Sequence, residues 1–337
     1  MQDTPAIKIT YNAIVTVEKP MVAHMSANLT QTECDDEKCV YTFQNEIQMP
    51  SYLIALAVGN LQTESMGTRT NVITEPENMP AVKEALGTLS TLLDTTETYL
   101  TPYIWGNYSI IILPPSFPMG GMENPLLTFA SPTIITDDKS QVYVATHEIA
   151  HSWTGNDVTC ENWSNLWLNE GFTVFEERKV SAKLNDEDFS KVNAYLGNIS
   201  MYQDMLEYGL NNTYASLYPV IEDDKPDNSF SEIPYEKGFQ LLYYLETLLG
   251  EADHQEMLQQ WILNNTQTSR VYTDFQNHFE AYVNNKYDEN KTADLISKMD
   301  WETWVKVGGL PPVQLDFTTK GLNESKAMAM EYISKPG

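Results

Sequence analysis

The spacing of hydrophobic and polar residues changes its period near residue 78. Before that point, "IKITYNAIVTV" alternates apolar and polar residues, "VYTFQNEI" follows a polar turn, and "YLIALAVGNL" is almost continuously apolar, as is typical of β-strands. Residues 6–60 therefore hold four or five predicted strands, whereas a free-standing β-sandwich usually needs about seven. We expect this segment to be the later part of a larger β-rich domain.

After residue 78, apolar residues recur every three or four positions, which indicates amphipathic helices. The first, "MPAVKEALGTLSTLLDTTETYL", has Pro80 in its first turn. "YSIIIL" predicts a buried strand, a Gly-rich loop is expected at 118–125, and "GGLPP" at 308–312 is typical of a linker. The remaining helices are predicted at about 140–154, 165–184, 188–209, 234–249, 252–264, 272–285 and 292–304.

Composition and net charge indicate which kinds of binding partner are expected. The 337 residues are 42% hydrophobic, which is enough for a substantial core, and they carry a formal net charge of −27. Such a charge repels phosphate backbones and anionic lipids. No apolar run reaches the roughly 18 residues of a membrane-spanning helix. We therefore expect neither nucleic acid nor a membrane as partner, and the oligomeric state stays open.

Cysteines and glycosylation motifs bear on the cellular compartment. The three cysteines cannot make a disulfide framework, although Cys34 and Cys39 flank the turn "DDEK" and could pair under oxidising conditions. Eight Asn-x-Ser/Thr motifs occur, where chance gives about four, and this favours secretion. The first residues lack the basic start and apolar core of a signal peptide. The predicted location is cytoplasmic, or secreted if a signal peptide lies upstream of Met1.

The segment "HEIAHSWTGN", residues 147–156, carries the candidate chemistry. On a helix, residues four apart share a face, so His147 and His151 can offer their imidazoles to one metal ion. Glu148 would then stand beside the ion, where a general base is needed. An HExxH segment alone is only moderately specific, and two histidines on a polar helix face are the alternative.

A third ligand is available in "LWLNEGF". A zinc site that activates water needs three protein ligands and an open fourth position. Glu170, with 18 residues between it and His151, is a carboxylate in an apolar setting, and a buried carboxylate without a partner is costly. Glu177 falls on the same predicted face and could orient a ligand histidine. A surface ion pair of Glu177 with Arg178 or Lys179 fits the spacing equally well.

Three motifs in order, "GGMENP" at 120–125, HExxH-x18-E at 147–170 and "PYEKGF" at 234–239, resemble the gluzincin zinc aminopeptidases, peptidase family M1. Within that family the chain is most similar to the leukotriene-A4 hydrolase and aminopeptidase B branch. The resemblance implies an α+β fold with a thermolysin-like catalytic domain at 60–302. It also implies the C-terminal part of a β-domain at 1–59, and a linker with the start of a helical domain at 303–337. The chain is therefore expected to be truncated at both ends.

The resemblance also implies roles for individual residues. Glu148 would be the general base, and the phenol of Tyr235 would donate to the oxyanion of the tetrahedral intermediate. Glu123 would bind the α-ammonium of a peptide with a free N-terminus, so the implied activity is that of an aminopeptidase. The implied substrate-binding residues are Gly120, Gly121, Met122, Glu123 and Asn124. The implied ligands of one zinc ion per chain are His147, His151 and Glu170.

Two alternatives remain beside the aminopeptidase. One is a bifunctional enzyme that also hydrolyses a lipid epoxide, as leukotriene-A4 hydrolase does. Asp227 matches the acidic residue of that reaction, but Phe230 and Met119 stand where that branch carries tyrosines. Epoxide hydrolysis is therefore less supported than peptide hydrolysis. The other alternative is a catalytically silent zinc-binding fragment.

Overall fold

The computed structural model describes residues 4–222 and 226–334. The chain forms two compact units, one of residues 1–162 with 255–275, the other of residues 163–254 with 276–337. This division follows compactness in space rather than motifs in the sequence. The predicted domain boundaries after residues 59 and 302 stay a prediction.

The first unit holds all strands of the described chain, and they begin earlier than the helices. Their bounds are β1 (Lys8–Glu18), β2 (Val22–Met25), β3 (Asn28–Cys34), β4 (Lys38–Pro50), β5 (Leu56–Gly59), β6 (Gln62–Ser65), β7 (Thr70–Thr74), β8 (Tyr108–Ile112), β9 (Gly121–Met122), β10 (Thr128–Ala130), β11 (Val158–Cys160) and β12 (Thr268–Arg270).

Two sheets organise this unit. β1, β4 and β3 form an antiparallel sheet in that order, and its alternating apolar residues bury Tyr41 and Phe43. The second sheet has the order β6-β7-β8-β10-β9. Its central strand β8 pairs in parallel on both sides, which explains why "YSIIIL" is buried rather than alternating. β9 lies at the edge of this sheet.

Helices dominate the later part of the chain, as the apolar periodicity predicts. Their bounds are α1 (Met79–Ala85), α2 (Leu89–Tyr99), α3 (Val142–Ala150), α4 (Trp167–Leu184), α5 (Glu187–Tyr208), α6 (Ile233–Leu249), α7 (Glu251–Asn265), α8 (Tyr272–Lys286), α9 (Glu289–Lys298), α10 (Trp301–Val305) and α11 (Lys320–Ser334). No helix in the described ranges is both long enough and apolar enough to cross a membrane.

The structure divides two of the predicted helices. The helix expected from residue 78 to 100 is interrupted between α1 and α2, where Gly87 and Thr88 lie. The helix expected at 292–304 becomes α9 and α10, because the Asp300 side chain accepts a hydrogen bond from the Thr303 N–H and caps a new helix. The helix carrying HExxH also ends at Ala150, four residues earlier than predicted.

In the second unit, α4 and α6 cross at two glycines. A Cβ added to Gly171 would lie 2.7 Å from the Cα of Gly238, closer than any side chain tolerates. The two backbones can therefore approach because both residues are glycine. The adjacent core contains the fully buried rings of Trp167, Phe172 and Phe175.

Candidate metal site

His147 and His151 face each other at the end of α3. His147 lies in the last turn, and His151 follows the helix with a backbone that is still helical, at φ −54° and ψ −22°. The Nε2 atoms of the two rings are 3.1 Å apart. The predicted spacing of four residues thus brings both imidazoles to one point, even though His151 lies just outside the helix.

The turn after α3 fixes the tautomer of His151. Its Nδ1 lies 2.9 Å from the carbonyl oxygen of Thr154. A carbonyl only accepts hydrogen bonds, so Nδ1 carries the hydrogen and Nε2 of the neutral ring presents its lone pair toward His147. Metal-binding histidines are commonly oriented by such a backbone carbonyl. No motif in the sequence indicates this role of Thr154.

Glu170 completes a group of three ligand side chains. It lies in the first turn of α4 and is 8% exposed. One ligand atom from each of His147, His151 and Glu170 lies within 4.8 Å of the others. Two imidazole nitrogens and one carboxylate oxygen are a donor set of catalytic zinc, which keeps its fourth position open. The residues present therefore fit a zinc ion.

Glu148 is buried against the Gly-rich segment. A Cβ added to Gly121 would lie 2.2 Å from Oε1 of Glu148, so the backbone here leaves no room for a side chain. The segment predicted as a loop contains the short strand β9, in which Gly121 pairs with Ala130 and Met122 with Phe129. Pairing with β10 holds Gly121 over the Glu148 carboxylate, a contact that the sequence alone did not indicate.

The same segment is joined to the residues that follow His151. The side-chain amide of Asn156 donates to the carbonyl oxygen of Glu123 over 2.8 Å, and the Asn156 N–H donates to the carbonyl of His151 over 3.0 Å. Glu123 and Asn124 are both buried, at 9% and 3% exposure. Asn156 thus couples the predicted amine-binding residue to the metal-binding segment. Its position within "HEIAHSWTGN" was the only signal in the sequence.

Tyr235 lies in the first turn of α6, where it is half-buried and packs edge-on against Phe230 with ring centroids 6.3 Å apart. The next residue, Glu236, accepts two hydrogen bonds from the guanidinium of Arg178 on α4, over 2.7 and 2.9 Å. Both side chains of this ion pair are only 6% exposed. The pair ties the turn that carries Tyr235 to the helix that carries Glu170.

The two remaining candidates have different surroundings. Glu177 is buried, at 5% exposure, while Arg178 pairs with Glu236 and Lys179 pairs with Glu246 and Glu251. This burial does not fit a surface position, and the role of Glu177 stays a prediction. Asp227 is exposed in a 3₁₀ turn, where its carbonyl accepts from the N–H of Phe230.

Comparison with known proteins agrees with this geometry. Residues 84–304, more than half of the chain, match the Peptidase family M1 domain. The chain belongs to peptidase family M1. As an M1 family member, it is 41% identical over 337 residues to the leukotriene A-4 hydrolase of Xenopus laevis, covering 98% of this chain and 54% of that protein. It is 36% identical over 347 residues to leucine aminopeptidase 2 of Aspergillus clavatus, covering 100% of this chain and 54% of that protein.

Solved M1 family structures show the same fold. Native yeast LTA4 hydrolase superimposes with a TM-score of 0.89 at 32% identity, covering 98% of this chain and 51% of that one. The chain thus spans about half the length of the relatives that it matches. The family resemblance and the α+β fold are confirmed. The family and the three converging ligands together confirm the predicted zinc cofactor.

Proposed function

We propose that this chain carries the catalytic centre of a zinc aminopeptidase, which hydrolyses N-terminal residues from peptides. The observation that supports it most directly is the convergence of His147, His151 and Glu170 in a chain of peptidase family M1. A zinc ion bound there supplies Lewis-acid polarisation of the peptide carbonyl and lowers the pKa of water. The remaining chemistry belongs to side chains of the chain itself.

Glu148 is the proposed general base. It accepts a proton from the attacking water as the C–O bond forms, and it gives that proton to the departing amine as the C–N bond breaks. Its burial and the close backbone of Gly121 limit the positions that its carboxylate can occupy. A carboxylate with few accessible positions is held ready for proton transfer in one geometry.

Tyr235 is the proposed donor to the oxyanion. A phenol O–H that meets the developing negative charge stabilises the transition state more than the substrate. The buried Arg178–Glu236 ion pair and the Gly171–Gly238 crossing support this role, because they fix the first turn of α6 against α4. Glu177, buried on α4, is proposed to orient a ligand histidine through its carboxylate.

Glu123 is the proposed anchor for the α-ammonium of the substrate. A carboxylate at that place restricts the enzyme to chain ends, because an internal peptide bond has no ammonium group to pair with it. β9 lies at the edge of its sheet, and an extended peptide can pair with an exposed sheet edge. The proposed substrate-binding residues are therefore Gly120, Gly121, Met122, Glu123 and Asn124.

A single peptide in two forms tests this proposal. Acetylating the N-terminus removes the ammonium, so Glu123 would be desolvated against a neutral amide, and kcat/KM should fall at least about 100-fold. Glu123→Ala should lower kcat/KM for the free peptide. The ratio of kcat/KM between the free and the acetylated peptide should therefore be smaller in this variant than in the unaltered protein. Removing the metal with a chelator should abolish turnover, and added zinc should restore it.

Equal cleavage of the free and the acetylated peptide by the unaltered protein would contradict the aminopeptidase proposal. Retention of one zinc per chain without turnover of any aminoacyl amide would favour the catalytically silent alternative. Both measurements belong on the longest form of the protein that its gene encodes, because the relatives extend beyond this chain.

A second candidate function is hydrolysis of a lipid epoxide, supported by the similarity to the Xenopus laevis leukotriene A-4 hydrolase. Asp227 would be its acidic residue, but Phe230 and Met119 offer no phenol to polarise an epoxide oxygen. Formation of a diol from a fatty acid epoxide, abolished by Asp227→Asn while peptide hydrolysis persists, would establish this activity.

A further inference from the structure

The hairpin of β3 and β4 is closed by a covalent bond. Cys34, the last residue of β3, and Cys39, the second residue of β4, are opposite each other in register and form a disulfide with a Cα–Cα distance of 4.1 Å. The turn between them is ordered by Asp35, whose side chain accepts from the N–H groups of Glu37 and Lys38. Disulfides of this structural kind persist in oxidising compartments and are rare in the cytosol.

The acceptor asparagines of the eight Asn-x-Ser/Thr motifs keep solvent-exposed surface, as do asparagines outside such motifs, for example Asn78 and Asn185. The acceptor asparagines are Asn28, Asn107, Asn162, Asn198, Asn211, Asn264, Asn290 and Asn323. Seven of these eight are exposed, and Asn198 is half-buried. The buried asparagines among the described side chains all lie outside such motifs: Asn45, Asn124, Asn156, Asn165, Asn169 and Asn265. Two sequence neighbours differ in this respect: Asn264 is exposed, whereas Asn265 is buried and donates to the Trp261 carbonyl.

Asn28 occupies a place where an oligosaccharide would have a physical effect. It begins β3, an edge strand in which all seven residues are exposed. Exposed edge strands invite pairing with other chains, and proteins commonly protect them. A bulky, hydrated group at the start of β3 and a disulfide at its end would hinder such pairing. Asn107 is exposed directly before β8, and Asn211 lies in an exposed turn, so an attached glycan would meet solvent at both places.

Asn198 is the exception among the eight. It lies within α5, is half-buried, and its Oδ1 accepts a hydrogen bond from Gln240 on α6 over 2.9 Å. An oligosaccharide on its amide nitrogen would crowd this contact with Gln240 of α6. It therefore serves as an internal negative control within the same chain.

We propose that this protein matures in an oxidising, glycosylating compartment and carries N-linked oligosaccharides at Asn28, Asn107, Asn211 and Asn264. In each transfer the side-chain nitrogen bonds to the anomeric carbon of a polyprenyl-diphosphate-linked oligosaccharide, loses one proton, and the polyprenyl diphosphate leaves. Cys34 and Cys39 give two electrons and two protons to an oxidised dithiol oxidoreductase. This proposal selects the secreted alternative over the predicted cytoplasmic location.

The test uses protein isolated from the organism that makes it, alkylated at lysis to trap free thiols. Enzymatic removal of N-glycans in ¹⁸O-labelled water converts each modified Asn to Asp and raises the peptide mass by about 3 Da. The increase is expected at the four proposed sites and not at Asn198. Untreated glycopeptides should release sugar fragment ions, which detects glycans that resist the enzyme. Cys34 and Cys39 should become alkylated only after reduction.

A variant pair adds a site-specific control. With the coding sequence expressed in a eukaryotic secretory host, Thr30→Ala removes the motif at Asn28, whereas Thr32→Ala on the same exposed strand leaves it intact. Thr30→Ala should lose one glycan by mass, and Thr32→Ala should lose none. Sugar-free asparagines with alkylated Cys34 and Cys39 in the natural protein would overturn the proposal. A glycan on Asn198 would overturn the argument from surface placement.

Discussion

Each compact unit buries a glutamate against a glycine, and the two pairs are built alike. In the first unit, a Cβ on Gly121 would lie 2.2 Å from an oxygen of Glu148. In the second unit, a Cβ on Gly197 of α5 would lie 2.1 Å from an oxygen of Glu236. In both places the backbone comes so close that even a methyl group would displace the carboxylate.

The neighbours of the two carboxylates differ. Both oxygens of Glu236 accept from Arg178, and that guanidinium also stacks over the ring of Phe239 at 4.2 Å from its centroid. The chain thus gives Glu236 a fixed cation, while Glu148 shares its segment with two candidate metal ligands. Burial of a carboxylate therefore does not by itself identify a catalytic residue. What distinguishes the two glutamates is the counter-ion: Glu236 is paired with a side chain of the chain itself, as in a structural ion pair, whereas Glu148 lies beside the candidate ligands of a metal ion.

The largest expected effect is that of Glu148→Gln on the rate. The amide keeps the shape of the side chain but cannot accept the proton of water, so kcat should fall at least about 10²–10⁴-fold. Bound zinc and the thermal midpoint should change little. Turnover of an aminoacyl amide and elemental analysis of the dialysed protein measure both properties. Near-normal turnover by this variant would show that another group deprotonates the water.

Glu236→Gln should act on stability instead. It leaves the Arg178 guanidinium buried without its carboxylate, and breaking such a pair typically costs about 3–5 kcal/mol. Calorimetry or urea unfolding of the zinc-loaded protein measures the loss. The matched control is Asp294→Asn, because Asp294 pairs with Lys298 on an exposed helix surface, where an ion pair is worth at most about 1 kcal/mol.

Replacing both partners separates the ion pair from its burial. Arg178→Met combined with Glu236→Leu removes both charges and leaves apolar side chains in the same space, which often restores most of the stability. If Glu236→Gln and Asp294→Asn lowered the free energy of unfolding equally, the buried ion pair would contribute no more to stability than the exposed one.

The sequence predicts one of these carboxylates far better than the other. The HExxH spacing is local, so helix geometry alone places His147 and His151 together with Glu148 beside them. Glu170 is indicated by its apolar setting and by the need for a third ligand, and the family resemblance supports it, but 18 residues of intervening chain fix no distance. The Arg178–Glu236 pair joins residues 58 apart, and no periodicity indicates it. Contacts between crossing helices are set by tertiary packing. The spacing of residues along a single sequence does not predict them.

Strand and helix content followed the apolar pattern, but the ends of elements did not. Asp300 lies inside a predicted helix, yet its capping hydrogen bond starts α10. Similarly, "GGMEN" was expected to be a loop because of its glycines. Pairing with β10 makes part of it a strand, which the glycines permit but do not specify.

The smallest expected effects, and the sharpest comparison, come from adding one methyl group at each glycine. Gly121→Ala should displace the Glu148 carboxylate and lower kcat about 10–100-fold, since small misplacements of a catalytic group are costly. Gly197→Ala should displace Glu236 and cost about 1–3 kcal/mol of stability, with a smaller loss of rate than Gly121→Ala, because Glu236 holds the turn that carries Tyr235 and does not itself meet the substrate. Gly87→Ala is the control for the first, because Gly87 lies outside the proposed site and its Cβ would come no closer than 3.4 Å to its nearest neighbour, the Lys83 carbonyl. Gly321→Ala in α11 is the control for the second, because its Cβ would have nothing within 4 Å, and Ala favours helix. Kinetics and thermal midpoints of the four variants give the result. If Gly121→Ala lost stability but not rate, or Gly197→Ala lost rate but not stability, the assigned roles of the two glutamates would be reversed.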